Sequence, residues 1–457
     1  GRQEMMLSKE NIAEKKITIL GMKKSGYSAA LLASKFGANI FISDNNKDEI
    51  VCQNYEKLKK AGMQCEIGGH TDKIYDSDLW IVSPGIPKDA NVIKKASKLK
   101  IPIISEIEFA SRFTKHPIVA VTGSNGKSTT VNMVTEMLST NEWKPILAGN
   151  IGNPFSKSVL DLLNGDLEGN IFVLELSSFQ LEFIDQFHPF ISIYLNISPD
   201  HLDRHKNMDE YLKMKLNMVK NIDESDFIIY NSDDKILNTS FNDTIAKKIP
   251  YSLNEKNRFF SLNSTKLYDE NYDTLISLDD ILLKGKHNLS NFIASATAAK
   301  ILNVKNKKIK KTMELFTGIK HRLQFVKSIK GSSYFNDSKA TNISSVIAAI
   351  NSFNSPIILL LGGKNKDSDF RLLLPHTKRH VKHIVSFGEA GGEIATAIGD
   401  AVRLDITSSL NQAVASAHKI ASPGDIILMS PGCASFDEFK NFEDRGEKFI
   451  QMVNELK

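Results

Sequence analysis

Cysteine is scarce. The three in 457 residues, Cys52, Cys65 and Cys433, lack metal-type spacing and are too few for a disulfide framework. That usage points to a reducing compartment, and the cytoplasm is the expected location. Long apolar runs are absent too, so no membrane span is expected, and no stretch at the start of the chain reads as a secretory signal. Neither sign of charge dominates: 58 Lys and Arg stand against 53 Asp and Glu, a formal net charge of +5. The lysines are scattered, and the cluster from Lys305 to Lys311 reads as a solvated helix face, so no nucleic-acid partner is expected. What remains is an ordinary globular composition, with a length that suggests about three domains.

The stretch from Ile118 to Thr130, IVAVTGSNGKSTT, organises the chain. Ile118 to Val121 is apolar and β-branched, the pattern of a buried strand. Gly123-Ser124-Asn125-Gly126 is a tight loop, and Lys127-Ser128-Thr129-Thr130 opens a helix through about Leu138. Strand, glycine loop and helix N-terminus make a phosphate cradle, because backbone N–H groups and the helix dipole converge on an anion. Lys127 can reach the terminal phosphates, and the Ser128 or Thr129 hydroxyl can ligate Mg2+. The usual first glycine of such loops stands five residues before the second; Val121 is there instead, so this loop is a shorter form. Its bland counterpart is a βα turn with a solvated lysine.

Upstream, Lys16 to Leu20 is a strand, followed by Gly21-Met22-Lys23-Lys24-Ser25-Gly26, a helix from Tyr27 to about Phe36, and a strand from Asn39 to Ser43 that ends at Asp44. This is a dinucleotide-type βαβ unit with a damaged fingerprint. Lys23 stands where the middle glycine would let a diphosphate approach, which favours another kind of nucleotide over a hydride cofactor. Further strands run from Leu79 to Val82, ending in Ser83-Pro84-Gly85, and from Ile101 to Ile104. Residues 112–117 read as a linker.

Downstream, Gly149-Asn150 marks a turn, and Ile171 to Leu176 is an apolar strand carrying one carboxylate, Glu175, a Mg2+ candidate. Ser177 to Gln180 leads into a predicted helix. A strand from Ile191 to Leu195 ends in a loop with Asp200, His201, Asp203 and His205. Zinc is one reading of that loop, but Mg2+ or a substrate carboxylate fits its ligands better. A helix from Met208 to Asn221 carries Lys213, Lys215 and Lys220, by pattern a solvated face. Residues 238–280 give no signal. Asn288 and Asn291 precede an Ala-rich helix. The last third alternates strand and helix again, with Asp337 and Thr341 before a helix, Lys366 after a diglycine, and Ser435 and Phe442 after the last strand. Cys433 lies nearby, with no activating base placed by the sequence.

TGSNGKST, GNIG, LELSSFQLE, SPDHLDRH and YLKMK, in this order and spacing, resemble the ATP-dependent Mur ligases of peptidoglycan synthesis. The resemblance implies three α/β domains: an N-terminal Rossmann-like parallel sheet (1–114), a central P-loop ATPase-type domain (115–319) and a C-terminal Rossmann-like domain (320–457). It implies ATP contacts from Gly123, Ser124, Asn125, Gly126, Lys127, Ser128, Thr129, Asn288, Asn291, Arg322 and Asp337. It also implies two Mg2+ ions, one on Ser128 and Glu175, the other on His201 and Lys215. Lys215 matches a lysine that the family carries carbamylated as N6-carboxylysine, which reverses its charge. Lys127, His201, Lys215 and Arg322 form the catalytic set.

DSKATN, LLGGKNKDSDF and SPGCASFDEFKNFEDRG narrow the likeness to the members that add D-glutamate to UDP-N-acetylmuramoyl-L-alanine. They imply D-glutamate contacts from Thr341, Lys366, Ser435 and Phe442. Lys24, Ser25, Asp44, Asn45, Ser83, Gly85, Asn150, Ser177 and Gln180 would then hold the UDP-sugar. The expected reaction runs through an acyl phosphate in a monomer whose domains close over ATP. A folate polyglutamate synthase shares the central elements but not the Ser-Pro-Gly-Ile turn or the CASFDEFKNF segment. A nucleotide-binding regulator with slow ATP hydrolysis is the reading from another class.

Overall fold

The structure is a computed structural model that describes residues 12–198, 207–283, 285–365 and 368–457. His201 and Lys366 lie outside the described residues. The first sheet contains β1 (Lys16–Leu20), β2 (Asn39–Asp44), β3 (Gln64–Ile67), β4 (Leu79–Val82) and β5 (Ile103–Ser105), in the order β3-β2-β1-β4-β5. Every pairing is parallel. The strand order reverses between β1 and β4, and a crevice opens beyond the carboxyl ends of strands at such a point. The first helix is Lys24–Lys35. It begins earlier than the pattern of apolar residues indicates, so Lys24 and Ser25 sit in its first turn.

The second sheet contains β6 (Ile118–Thr122), β7 (Pro145–Gly149), β8 (Ile171–Glu175), β9 (Ile191–Tyr194), β10 (Phe227–Asn231) and β11 (Lys247–Tyr251), in the order β11-β10-β9-β6-β8-β7. It too is parallel throughout. β6, β8 and β9 are buried at every residue, as strands covered by helices on both faces must be. Residues 238–280, silent in the sequence, hold β11 and a small antiparallel sheet of β12 (Ser261–Leu262), β13 (Lys266–Tyr268) and β14 (Thr274–Ser277).

The helix expected after Gln180 is not formed; turns carry the chain to β9 instead. Two side-chain acceptors explain this, one local and one distant in sequence. Gln180 Oε1 folds back to accept from Ser177 N at 3.0 Å, and the buried Glu108 carboxylate collects the N–H groups of Asp185, Gln186 and Phe187. Side chains that bond backbone donors in this way compete with the helical ladder.

These two sheets belong to one compact unit, Gly1–Leu315. The helices Lys24–Lys35 and Phe155–Asn164 pack together, and one apolar core runs from Ile17 through Phe109 to Phe155 and Tyr194. Arg112 bridges Glu108 at 2.7 Å and Asp185 at 3.0 Å across the same joint.

The second unit, Phe316–Lys457, has its own cores. Its sheet contains β15 (Gln324–Ile329), β16 (Ser332–Asn336), β17 (Ile357–Gly362), β18 (Val381–Phe387), β19 (Leu404–Ile406) and β20 (Ile426–Gly432), in the order β15-β16-β20-β17-β18-β19. Only the β15–β16 hairpin is antiparallel; the other pairs are parallel. Among the described residues, no helix is long and apolar enough to cross a membrane.

Candidate active site

The phosphate loop joins β6 to the helix Lys127–Leu138. Gly126 caps that helix at φ +86°, and a Cβ there would lie 2.7 Å from Asn291 Oδ1. Only glycine fits this turn without strain. The loop is strapped to the segment after β9. Asn196 accepts from Ser124 N through its carbonyl, accepts from Asn125 N through Oδ1 at 2.8 Å, and donates through Nδ2 to Asn125 O. Ser124 Oγ accepts from Ser198 N at 3.0 Å and lies 3.1 Å from the Tyr211 hydroxyl. Lys127 Nζ curls over the loop onto the carbonyls of Gly123 (2.8 Å) and Ser124 (2.9 Å).

One residue distant in sequence meets this loop, and another ends the strand beside β6. Lys215, only 1% exposed, donates through Nζ to Gly123 O at 2.9 Å and sits 4.6 Å above the centre of the Tyr211 ring. Its pattern on the helix Met208–Leu216 resembled a solvated face, but the structure buries it. Glu175 ends β8, in register with Val121 of β6 and Gly149 of β7. Asn150 Nδ2 donates to Glu175 Oε1 at 2.8 Å, whereas Oε2 is buried with no hydrogen-bond partner among the described residues. A buried, unpartnered carboxylate oxygen beside a phosphate loop suits a hard cation with oxygen ligands, so the residues fit Mg2+. Ser177 donates from N and Oγ to Gln180 Oε1 beyond the end of β8, and Asn150, bonded to Glu175, follows β7. Asn291 is buried in the helix Lys286–Ile301, and Asn288 lies one turn earlier, half-buried.

The first sheet carries a cavity of about 760 Å³ at its switch point. Lys24, Ser25, Asp44, Asn45, Ser83 and Gly85, all singled out from the sequence, line it together. Gly21, at φ +95°, has no room for a Cβ, which would fall 2.4 Å from Ser83 Oγ. Asp44 holds the turn through both oxygens, accepting from Met22 N at 2.7 Å and Asn46 N at 2.8 Å. Lys23, the residue that breaks the glycine fingerprint, has negative φ and pairs with Asp48 at 2.7 Å. The turn therefore tolerates a side chain at that position.

In the second unit, Arg322 and Asp337 line one cavity of about 370 Å³ with Lys339 and Ser345. Burial pushes the Asp337 carboxyl up to about 6, against the hydrogen bond from Ser430 and the nearby Arg322. Thr341 precedes Asn342, the N-cap of the helix Ile343–Ile350. Ser435 is buried just past β20, and Phe442 opens the last helix, Phe442–Glu455.

Three family profiles divide the chain. A MurD N-terminal domain matches residues 16–92, a Mur ligase middle domain 121–299, and a Mur ligase glutamate ligase domain 321–433. The UDP-N-acetylmuramoylalanine--D-glutamate ligase of Geobacillus sp. (strain WCH70) is 38% identical over 452 residues, covering 97% of this chain and 98% of that protein. The chain belongs to the Mur ligase family. The ligase of the same name from Christiangramia forsetii is 38% identical over 457 residues, 97% of this Mur ligase and 100% of its own length. Among solved structures, MurF from Acinetobacter baumannii shares the fold at TM-score 0.54 and 17% identity, covering 96% of this chain and 94% of its own. UDP-N-acetylmuramate-alanine ligase MurC from Thermotoga maritima does so at TM-score 0.51 and 17% identity, covering 96% and 99%.

Arg445 and His70 of this Mur ligase carry no functional signal in the sequence. Arg445, fully buried, donates to Ser338 Oγ, Ser338 O and Cys433 O, while Ser338 Oγ donates to Phe442 O at 2.7 Å. It thus ties together the loops that carry Ser435 and Phe442. Its only sequence signal was an arginine one turn into a helix. His70 lines the first cavity and had no signal beyond following two glycines. Despite the Arg445 charge, burial pushes the Cys433 thiol up to about 12, which disfavours the thiolate that a nucleophile needs.

Proposed function

We propose that this Mur ligase uses ATP to join D-glutamate to UDP-N-acetylmuramoyl-L-alanine in peptidoglycan precursor synthesis. The observation that carries the reading is the full-length match, at 38% identity, to ligases bearing that name. The contacts of Lys127 and Lys215 with one phosphate loop, and Glu175 at the end of the strand paired with β6, support it. On this reading residues 1–114 hold the UDP-sugar, 115–319 ATP and 320–457 the amino acid.

The chemistry follows from the weakness of a free carboxylate as an electrophile. An oxygen of the L-alanyl carboxylate attacks the γ-phosphorus of ATP, and the bond from that phosphorus to the ADP oxygen breaks. The amine of D-glutamate then adds to the carbonyl of the acyl phosphate. The tetrahedral adduct expels phosphate, the nitrogen loses a proton, and an amide remains. Lys127, the loop N–H groups and the helix N-terminus hold the terminal phosphates and offset their charge. Ser128 and Glu175 would hold one Mg2+, and His201 with carboxylated Lys215 a second. When bound, Mg2+ reduces the repulsion between carboxylate and phosphate.

Arg322 and Asp337 are assigned to ATP. Thr341, Lys366, Ser435 and Phe442 are assigned to D-glutamate, whose two carboxylates suit a cation and hydroxyl or N–H donors. The uridine and diphosphate go to the cavity lined by Lys24, Ser25, Asp44, Asn45, Ser83 and Gly85, and the sugar arm to Asn150, Ser177 and Gln180. The test is ligation with each amino acid in turn. Product formed with D-glutamate alone supports the reading, and product formed only with another amino acid overturns the acceptor.

A further inference from the structure

We propose that His70 reads the nucleoside of the UDP-sugar, its Nε2 accepting a hydrogen bond from an N–H or O–H of the uridine. The proposal rests on the reading of the first cavity as the UDP-sugar site.

The sheet sets the spacing. The β1 turn and the N-terminus of the helix Lys24–Lys35 form the anion pole of the cavity, where the diphosphate belongs. His70 follows β3, two strands away from β1 in the order β3-β2-β1. Two strand spacings are roughly 10 Å, a distance comparable with the reach from a nucleotide's diphosphate to its nucleoside. Apolar side chains that suit a base face, Ile50, Ile86 and Pro87, line the same cavity.

The hydrogen-bond network fixes which edge of the ring does what. Glu66 accepts from Thr71 N at 2.9 Å, Thr71 Oγ1 at 2.7 Å and Ser43 Oγ at 2.8 Å. Burial opposes its ionisation, but the bonds from Thr71 and Ser43 outweigh that and hold the carboxyl below its ordinary range. An ionised carboxylate only accepts, so the single Ser43 proton goes to Glu66. Ser43 Oγ lies 2.6 Å from His70 Nδ1 and must therefore accept from it. The Nδ1–H tautomer follows. Burial lowers the ring from its ordinary value and so favours the neutral form, against the pull of Glu66 and Asp44. Nε2 is then a pure acceptor, with no partner among the described residues, on a half-buried ring that lines the cavity.

Such an acceptor distinguishes ligands. Uracil N3–H and the ribose hydroxyls are donors, whereas cytosine N3 is an acceptor and would meet Nε2 lone pair to lone pair. The experiment is calorimetric binding of UDP, CDP and 2′-deoxy-UDP to the full chain and to His70→Asn and His70→Gln, with ATP binding as the control for folding. Asn keeps a donor for Ser43 and removes the acceptor; Gln reaches the Nε2 position.

We expect His70→Asn to bind UDP at least tenfold more weakly, His70→Gln to stay within about threefold, and ATP binding to be unchanged in both. The wild type should prefer UDP to CDP if the base is read, or UDP to 2′-deoxy-UDP if the ribose is read, and His70→Asn should erase that preference. UDP affinity retained in His70→Asn, or a preference that survives the substitution, overturns the proposal while leaving the site reading intact. A wild type that binds no UDP overturns both.

Discussion

At the scale of single residues, the phosphate loop makes the sharpest demands. Replacing Lys127 by Ala removes the one ammonium placed on the loop by its own helix, and ligase kcat/KM should fall by at least about 100-fold, the usual magnitude for a preorganised charge on a transferring phosphoryl group. Steady-state phosphate release checks this. Glu175→Gln keeps the shape of the side chain and removes its charge from the unpartnered Oε2 position. The Mg2+ concentration for half-maximal activity should rise roughly tenfold, read from a Mg2+ titration at saturating substrates; an unchanged titration would remove Glu175 from the metal site. The loop was legible because strand, glycines, lysine and helix are contiguous, so local chemistry specifies them. Asn196, Tyr211 and the buried setting of Lys215 were not legible, because each depends on segments some 70 to 93 residues away in the chain.

At the scale of elements, the short helix Glu106–Ser111 joins the first two sheets and carries two buried carboxyls. Glu106 accepts from Ser156 N, and burial raises its carboxyl from 4.5 to about 7. The folded chain therefore keeps a proton that the unfolded chain releases between those values. This contribution to stability is fully present below pH 4.5 and is lost as pH rises through about 7. At about 1.4 kcal/mol per pH unit, the rise corresponds to roughly 3 kcal/mol. Glu106→Gln should flatten this component, so its Tm relative to wild type should climb from pH 5 to pH 8. Glu108 differs: Glu108→Ala strands three N–H groups and leaves the nearly buried Arg112 guanidinium with only its Asp185 ion pair among the described residues. The cost should be about 3–5 kcal/mol, visible as a lowered Tm. The same clamp explains why the helical reading beyond Gln180 failed. Nothing near Gln180 in sequence announces a carboxylate from the helix Glu106–Ser111.

At the scale of the whole molecule, alternation of apolar strands and amphipathic helices showed three α/β segments, and three parallel-type sheets are present. The shared core of the first two could not be read, because it joins the helices Lys24–Lys35 and Phe155–Asn164, each of which looks locally like an ordinary surface helix. Six residues that line the cavity at the β1–β4 switch point are singled out by the sequence, since each stands at a strand end, in the adjoining turn or in the first turn of the helix Lys24–Lys35; His70 is not, because its setting comes from Ser43 and Glu66. The central claim is that ATP turnover is coupled to ligation. The most direct test is phosphate release from ATP with Mg2+ and UDP-N-acetylmuramoyl-L-alanine, with and without D-glutamate, alongside the product mass. The account predicts release only when both substrates are present, matched by a product one glutamyl unit heavier. Equal release without D-glutamate, or release with no heavier product, would contradict it.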